Sequence, residues 1–128
     1  MDYGKFISAK EVEIGGRKFA ISQIPSVESV NSVYPAVAKS IQANGILGLT
    51  MLDFGVIRTI LKYTAIRLDS GDWHSLDIDT RISDTFDGKF RDLQTLVVAM
   101  VKENYGFLTD GNLHEVLGLQ EADQVSGS

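Results

Sequence analysis

Five aspartates, Asp69, Asp72, Asp77, Asp79 and Asp84, crowd the middle of the chain, with His74 among them and His114 further on. Carboxylates and imidazoles can hold a cation or move a proton. Asp77-Ile78-Asp79 superficially matches the start of a calcium loop. Its fifth position is Arg81, however, the turn glycine is missing, and Gly88 stands where a bidentate glutamate would close the shell. A solvated acidic loop is the simpler reading. The two histidines form no local ligand pair of the kind metal sites use, and would meet only if the fold joined them. Paired-carboxylate hydrolysis needs a fixed separation that sequence spacing does not supply.

Nucleophile and phosphate chemistry find no better support. None of Ser26, Ser29, Ser32, Ser40, Ser70, Ser75 and Ser83 stands in a Gly-x-Ser-x-Gly elbow. Gly15-Gly16 and Gly45-x-x-Gly48 lack the Lys-Ser/Thr that completes a phosphate cradle, so turns explain them. Arg58, Lys62 and Arg67 read as the wet edge of a helix. The expectation is a chain without catalytic, cofactor or metal residues, whose work is binding.

The composition agrees. At 128 residues the chain is long enough for one domain with its own core, and it needs no staples. The absence of cysteine excludes thiol catalysis and disulfides and is compatible with a reducing cytosol. A formal charge of −5 argues against a broad nucleic-acid surface. MDYGKFISAK lacks the basic start and apolar run of a secretion signal, and no apolar stretch approaches a membrane span, so a cytoplasmic protein is expected.

The elements that must position any site follow from periodicity. Glu11 to Ile24, EVEIGGRKFAISQI, reads as a β-hairpin turning at Gly15-Gly16, with Val12 opposite Phe19 and Glu13 opposite Lys18. Ser26 offers a helix cap, Val27, Val30 and Val33 a modest stripe, and Pro35 a kink or restart before a stop at Asn44-Gly45. Thr50 and Asp53 suggest a capping box for a helix over 51–69, with Phe54, Ile57, Ile60, Leu61, Thr64, Ala65 and Leu68 on one face. The stretch 72–84 reads as a connector, either loop or short strand. From Phe86 to Leu108 runs a helix whose middle, LVVAMV, is apolar on every side and must be central or shared; Phe90, Leu93, Val97, Met100 and Val101 share one face. A short helix over 112–118 and a frayed tail over 120–128 complete a single domain, 1–119. The fold class expected is α+β, mostly α: an N-terminal β-hairpin followed by a bundle of four or five helices.

Three of these pieces, in this order, resemble the phage tail assembly chaperones of long-tailed bacteriophages. They are the hairpin EVEIGGRKFAISQI, helices entered through IPSVES, and an apolar helix between FDGKF and ENYGFL. The likeness spans about Val12 to Leu108. It implies a non-enzymatic protein that coats the apolar, helical tape measure protein before tail-tube subunits polymerise around it, then leaves. The host cytoplasm would be its location and the finished virion would lack it. The tail tube protein is a further candidate partner, and no nucleic acid, membrane or cofactor is implied.

Within that reading the connector GILGLTM stands out, because exposed loops seldom carry so many apolar residues. Ile46, Leu47, Leu49 and Met51 are the candidate protein-binding residues, on a glycine-hinged segment that can repack against varied apolar partners. LVVAMV, GILGLTM and the face from Phe54 to Leu68 together offer more apolar surface than one small layer obviously covers, so a homo-oligomer, at least a dimer, is expected. The alternative is a small structural or adaptor domain of a phage or bacterium in which these helices are only core or oligomer interface.

Overall fold

The computed structural model describes residues 9–109. Its fold is α+β and mostly α, opening on an antiparallel hairpin followed by helices. Strands β1 (Lys10–Ile14) and β2 (Arg17–Ile21) turn through Gly15 and Gly16, both at positive φ. The ladder sets Val12 opposite Phe19 and Glu13 opposite Lys18, the register expected from the sequence. The hairpin does not stand alone. Strands β3 (Thr64–Arg67) and β4 (Trp73–Ser75) extend it into a four-stranded antiparallel sheet in the order β1-β2-β3-β4.

This sheet corrects the helix expected over 51–69. Helix α3 spans only Phe54–Leu61, and the chain reverses at Lys62-Tyr63 into β3. Thr64, Ala65 and Ile66 are all buried, because β3 lies between two other strands and is covered on both faces. A short strand buried on both faces is a continuous apolar run, which periodicity cannot separate from buried helix. The cap also differs from expectation: Asp53, not Thr50, caps α3 by accepting from the Gly55 N–H at 3.1 Å.

The arm before α3 bends where proline requires it. Helix α1 (Ser26–Glu28) passes into a π-helical stretch over Ser29–Val33 and then into α2 (Tyr34–Asn44), with Pro35 in the first turn. The Tyr34 N–H reaches back to the Ser29 carbonyl, and this widened turn relieves the clash that a proline ring makes with the carbonyl four residues earlier. Ser26 lies inside α1 and makes no cap bond. The expected valine stripe is broken by the wide turn: Val33 is buried, while Val27 and Val30 face outward. Gly45, at positive φ, ends α2 at the expected place.

The connector 72–84 resolves into β4 and a helix, α4 (Asp79–Phe86), which buries Ile82 and Phe86 one turn apart. Phe86 therefore closes α4. Gly88, again at positive φ, separates it from α5 (Phe90–Thr109), so the last helix begins at Phe90 rather than at 86. Leu96, Val97, Met100 and Val101 of α5 are buried, and Val98 and Ala99 are half-buried. Phe90, placed by its spacing on the core face, is largely exposed. The sheet and helices of a single chain cover the LVVAMV helix. The helix expected over 112–118, His114 and the 120–128 tail lie outside the described residues.

The sheet face carrying Val12, Phe19 and Ile66 meets the helices: Phe19 stacks on Phe86 at 5.8 Å, and Arg17 reaches Asp92 at 3.3 Å and the Thr85 carbonyl at 2.8 Å. At the other end Asn104 acts as a clasp. Its side-chain oxygen accepts from the Ile24 N–H at 2.8 Å, and its amide donates to the Ser22 carbonyl at 3.1 Å. The neighbouring Tyr105 hydroxyl bonds Ser29 at 2.6 Å, and its ring packs edge-on against Tyr34.

Tyr63, in the reversal between α3 and β3, donates its hydroxyl to the Glu28 carboxylate, which Lys62 also approaches at 3.6 Å. Burial first, and then the bond and charge of Glu28, push this phenol up to about 12. An unfolded tyrosine ionises near 10, so above that pH the unfolded chain sheds a proton that the folded chain keeps. The stabilisation is complete below about pH 10 and is lost as pH rises toward about 12. Tyr63→Phe should flatten that alkaline decline in urea titrations run at several pH values. An unchanged decline would assign it to other groups.

Candidate functional site

GILGLTM forms a seven-residue 3-10 helix, Gly45–Met51, lying along α2. Runs of this tight helix beyond three or four residues are uncommon, so outside contacts must hold it. Gly48 supplies one: a Cβ there would sit 2.2 Å from the Ser40 carbonyl oxygen of α2. With Gly48 turned inward, Leu49 enters the core at 3% exposure and is joined three residues later by Leu52. Leu49 is thus a core residue and not part of a binding surface, correcting that assignment. The other three candidates do face outward, Ile46 at 41%, Leu47 at 72% and Met51 at 75% exposure. Thr50 sits beside them and donates to the Leu47 carbonyl at 2.8 Å, which satisfies its hydroxyl within the segment.

A second apolar feature begins three residues beyond Met51 and was not legible in the sequence. Phe54, the first residue of α3, and Phe90, the first of α5, are 43% and 63% exposed. They flank a groove of about 340 Å3 that is floored by Ile82, Phe86 and Leu93 and edged by Asp79, Ser83 and Asp87. Arg58 lies over the Phe54 ring at 4.8 Å and forks onto Asp79 with bonds of 2.8 and 3.0 Å. The guanidinium bonds hold the Asp79 carboxyl below the usual carboxylate range, and the same bonds raise Arg58. Both side chains are exposed, so the pair orients side chains more than it stabilises the fold. Phe90 keeps the helical spacing of Leu93 and Val97, and it is exposed because it is the first residue of α5; the only signal for the groove is therefore where α5 starts.

A further cleft has its cationic lining already engaged. A cleft of about 370 Å3 beside β2 and β3 is lined by Arg17, Lys18, Arg67 and Asp69. Each cation is engaged: Arg17 by Asp92 and the Thr85 carbonyl, Lys18 by Glu11, and Arg67 by the Trp73 ring. Among the described residues no three His, Asp or Glu side chains gather as a metal shell. Asp77 pairs with Arg81 and Asp79 with Arg58, and His74 lies exposed on β4, opposite Ile66. No helix among the described residues is by itself long and apolar enough to cross a membrane.

The ENYGFL residues that carry the family resemblance do structural work here, through the Asn104 clasp and the Tyr105 contacts. In FDGKF, Phe86 is core, Gly88 makes the break and Phe90 is a lip of the groove. Compared with protein-family models, curated proteins and solved structures, the chain matches none.

Proposed function

We propose that this chain is a non-enzymatic phage tail assembly chaperone that binds apolar helical segments of the tape measure protein and keeps it soluble during tail assembly. The observation that carries the reading is the row Ile46, Leu47 and Met51, three large apolar side chains held out of the fold by a helix whose inner side is fixed by Gly48 and Leu49. Such side chains gain roughly 25 cal/mol per Å2 when a partner covers them. The contact with one client segment is small and weak, and strength comes from many copies along one long client. Host cytoplasm, absence from the virion and a secondary contact with the tail tube protein belong to the same proposal.

The adaptor-domain alternative draws on a separate observation: α5 is covered within one chain, which removes one of the reasons for expecting a homo-oligomer. Co-expression separates the two. The chain should keep the tape measure protein in the soluble fraction, and Leu47→Asp with Met51→Asp should lose that effect while melting like the parent, since both sites are exposed. A folded double variant that still solubilises the client would place binding elsewhere, and a parent chain without effect would favour the adaptor reading.

A further inference from the structure

We propose that residues 25–32 form a strap that opens as a unit of its own while the core stays folded. The inference stands apart from the chaperone reading, since it concerns a motion built into the fold. The strap comprises Pro25, helix α1 and all but the last residue of the π-helical stretch. It contains no buried residue, although Ile24 before it and Val33 after it both lie in the core. Its two valines, Val27 and Val30, are largely exposed. A segment with so few buried apolar contacts opens at a small fraction of the global unfolding free energy.

Polar clasps join the strap to the rest of the fold. Ser29 and Tyr105 share a hydrogen bond of 2.6 Å, and the Glu28 carboxylate accepts from the Tyr63 hydroxyl and lies 3.6 Å from Lys62. A cleft of about 310 Å3 runs between the strap, through Ser26, Ser29 and Val30, and the end of α5, through Glu103, Asn104 and Tyr105. The wide turn closed by the Tyr34 N–H on the Ser29 carbonyl is the natural break between strap and α2, because this bonding pattern persists only in single turns. Opening therefore costs the clasps and a short stretch of helix bonds, and it removes no side chain from the core. It uncovers the phenol ends of Tyr63 and Tyr105, both buried while the strap is closed. The closed strap thus keeps two aromatic residues from the surface.

The test is amide hydrogen exchange of the full chain, followed by NMR and corrected for intrinsic rates. Amides 29–32 should exchange at least about a hundredfold faster than those in the buried middle of α5, and low urea should hardly change them because the opening exposes little surface. Ile82→Val, a mild core truncation on α4, should speed the α5 amides about two- to tenfold and leave 29–32 unchanged. Ser29→Ala and Glu28→Ala should each speed 29–32 by about two- to tenfold, the range of one lost hydrogen bond, even though alanine favours helix. Equal rates in 29–32 and α5, or an equal response of both to Ile82→Val, would make the segment part of the core unit and overturn the proposal. Exchange of 29–32 at the intrinsic rate in the parent would mean that there is no closed strap and would overturn it too. So would rates that neither Ser29→Ala nor Glu28→Ala moves, since the clasps would then hold nothing.

Discussion

Val97→Asp is expected to leave no folded protein. Val97 is 2% exposed at the middle of α5, beside Leu96, Met100 and Val101, and is covered by the chain's own core. A carboxylate there has no partner, and even after shifting its pKa and taking up a proton it costs several kcal/mol. Small domains have only about 5 to 15 kcal/mol in total. Circular dichroism should show loss of cooperative melting or of soluble protein. A native-like variant with an unchanged midpoint would mean that this face is wet.

Gly48→Val comes next in size and bears more directly on the site. The added Cβ would meet the Ser40 carbonyl oxygen at 2.2 Å and its carbon at 2.7 Å, both backbone atoms of α2 that cannot swing aside. Relief requires lifting the 3-10 helix from α2, which draws Leu49 out of the core. Overpacking of this kind costs about 1 to 3 kcal/mol, and the upper end is expected because backbone must move. Urea unfolding should show the loss. The exposed row on the same helix should shift with it, so client binding should fall as well. A variant as stable as the parent would deny the close approach of the two helices.

Local signals carried well from sequence to structure, and pairings between distant segments did not. Gly15-Gly16 dictates its own turn, and Val12 against Phe19 with Glu13 against Lys18 selects the ladder without help from the rest of the chain. Asn44-Gly45 likewise ends α2 by itself. Thr64 to Arg67 becomes a strand only because β2 and β4 are there to pair with it, and two of its buried residues, Thr64 and Ala65, also fit the face of a continued helix. Helix α4 was hidden because it is short and buries only two large apolar residues, one of them Phe86, which also suits the start of α5.

The candidate site shows the same division. That GILGLTM would be held against something was legible from composition. Which of its residues would be covered was not. Leu47 and Leu49 are alike in sequence, and only the packing of Gly48 on Ser40 sends one outward and the other inward. Spacing alone puts Phe90 with Leu93 and Val97, whereas its place at the first residue of α5 leaves it exposed, and the groove it edges depends on α3, α4 and α5 meeting at one end.

The most direct measurement follows the methyl resonances of the purified chain by NMR as a tape-measure helical segment is added. The account predicts shifts at the methyls of Ile46, Leu47 and Met51, with those of the buried Leu49 and Val97 little changed. Binding that leaves Ile46, Leu47 and Met51 unshifted, or a segment that does not bind at all, would contradict the claim that this exposed row is where the protein works.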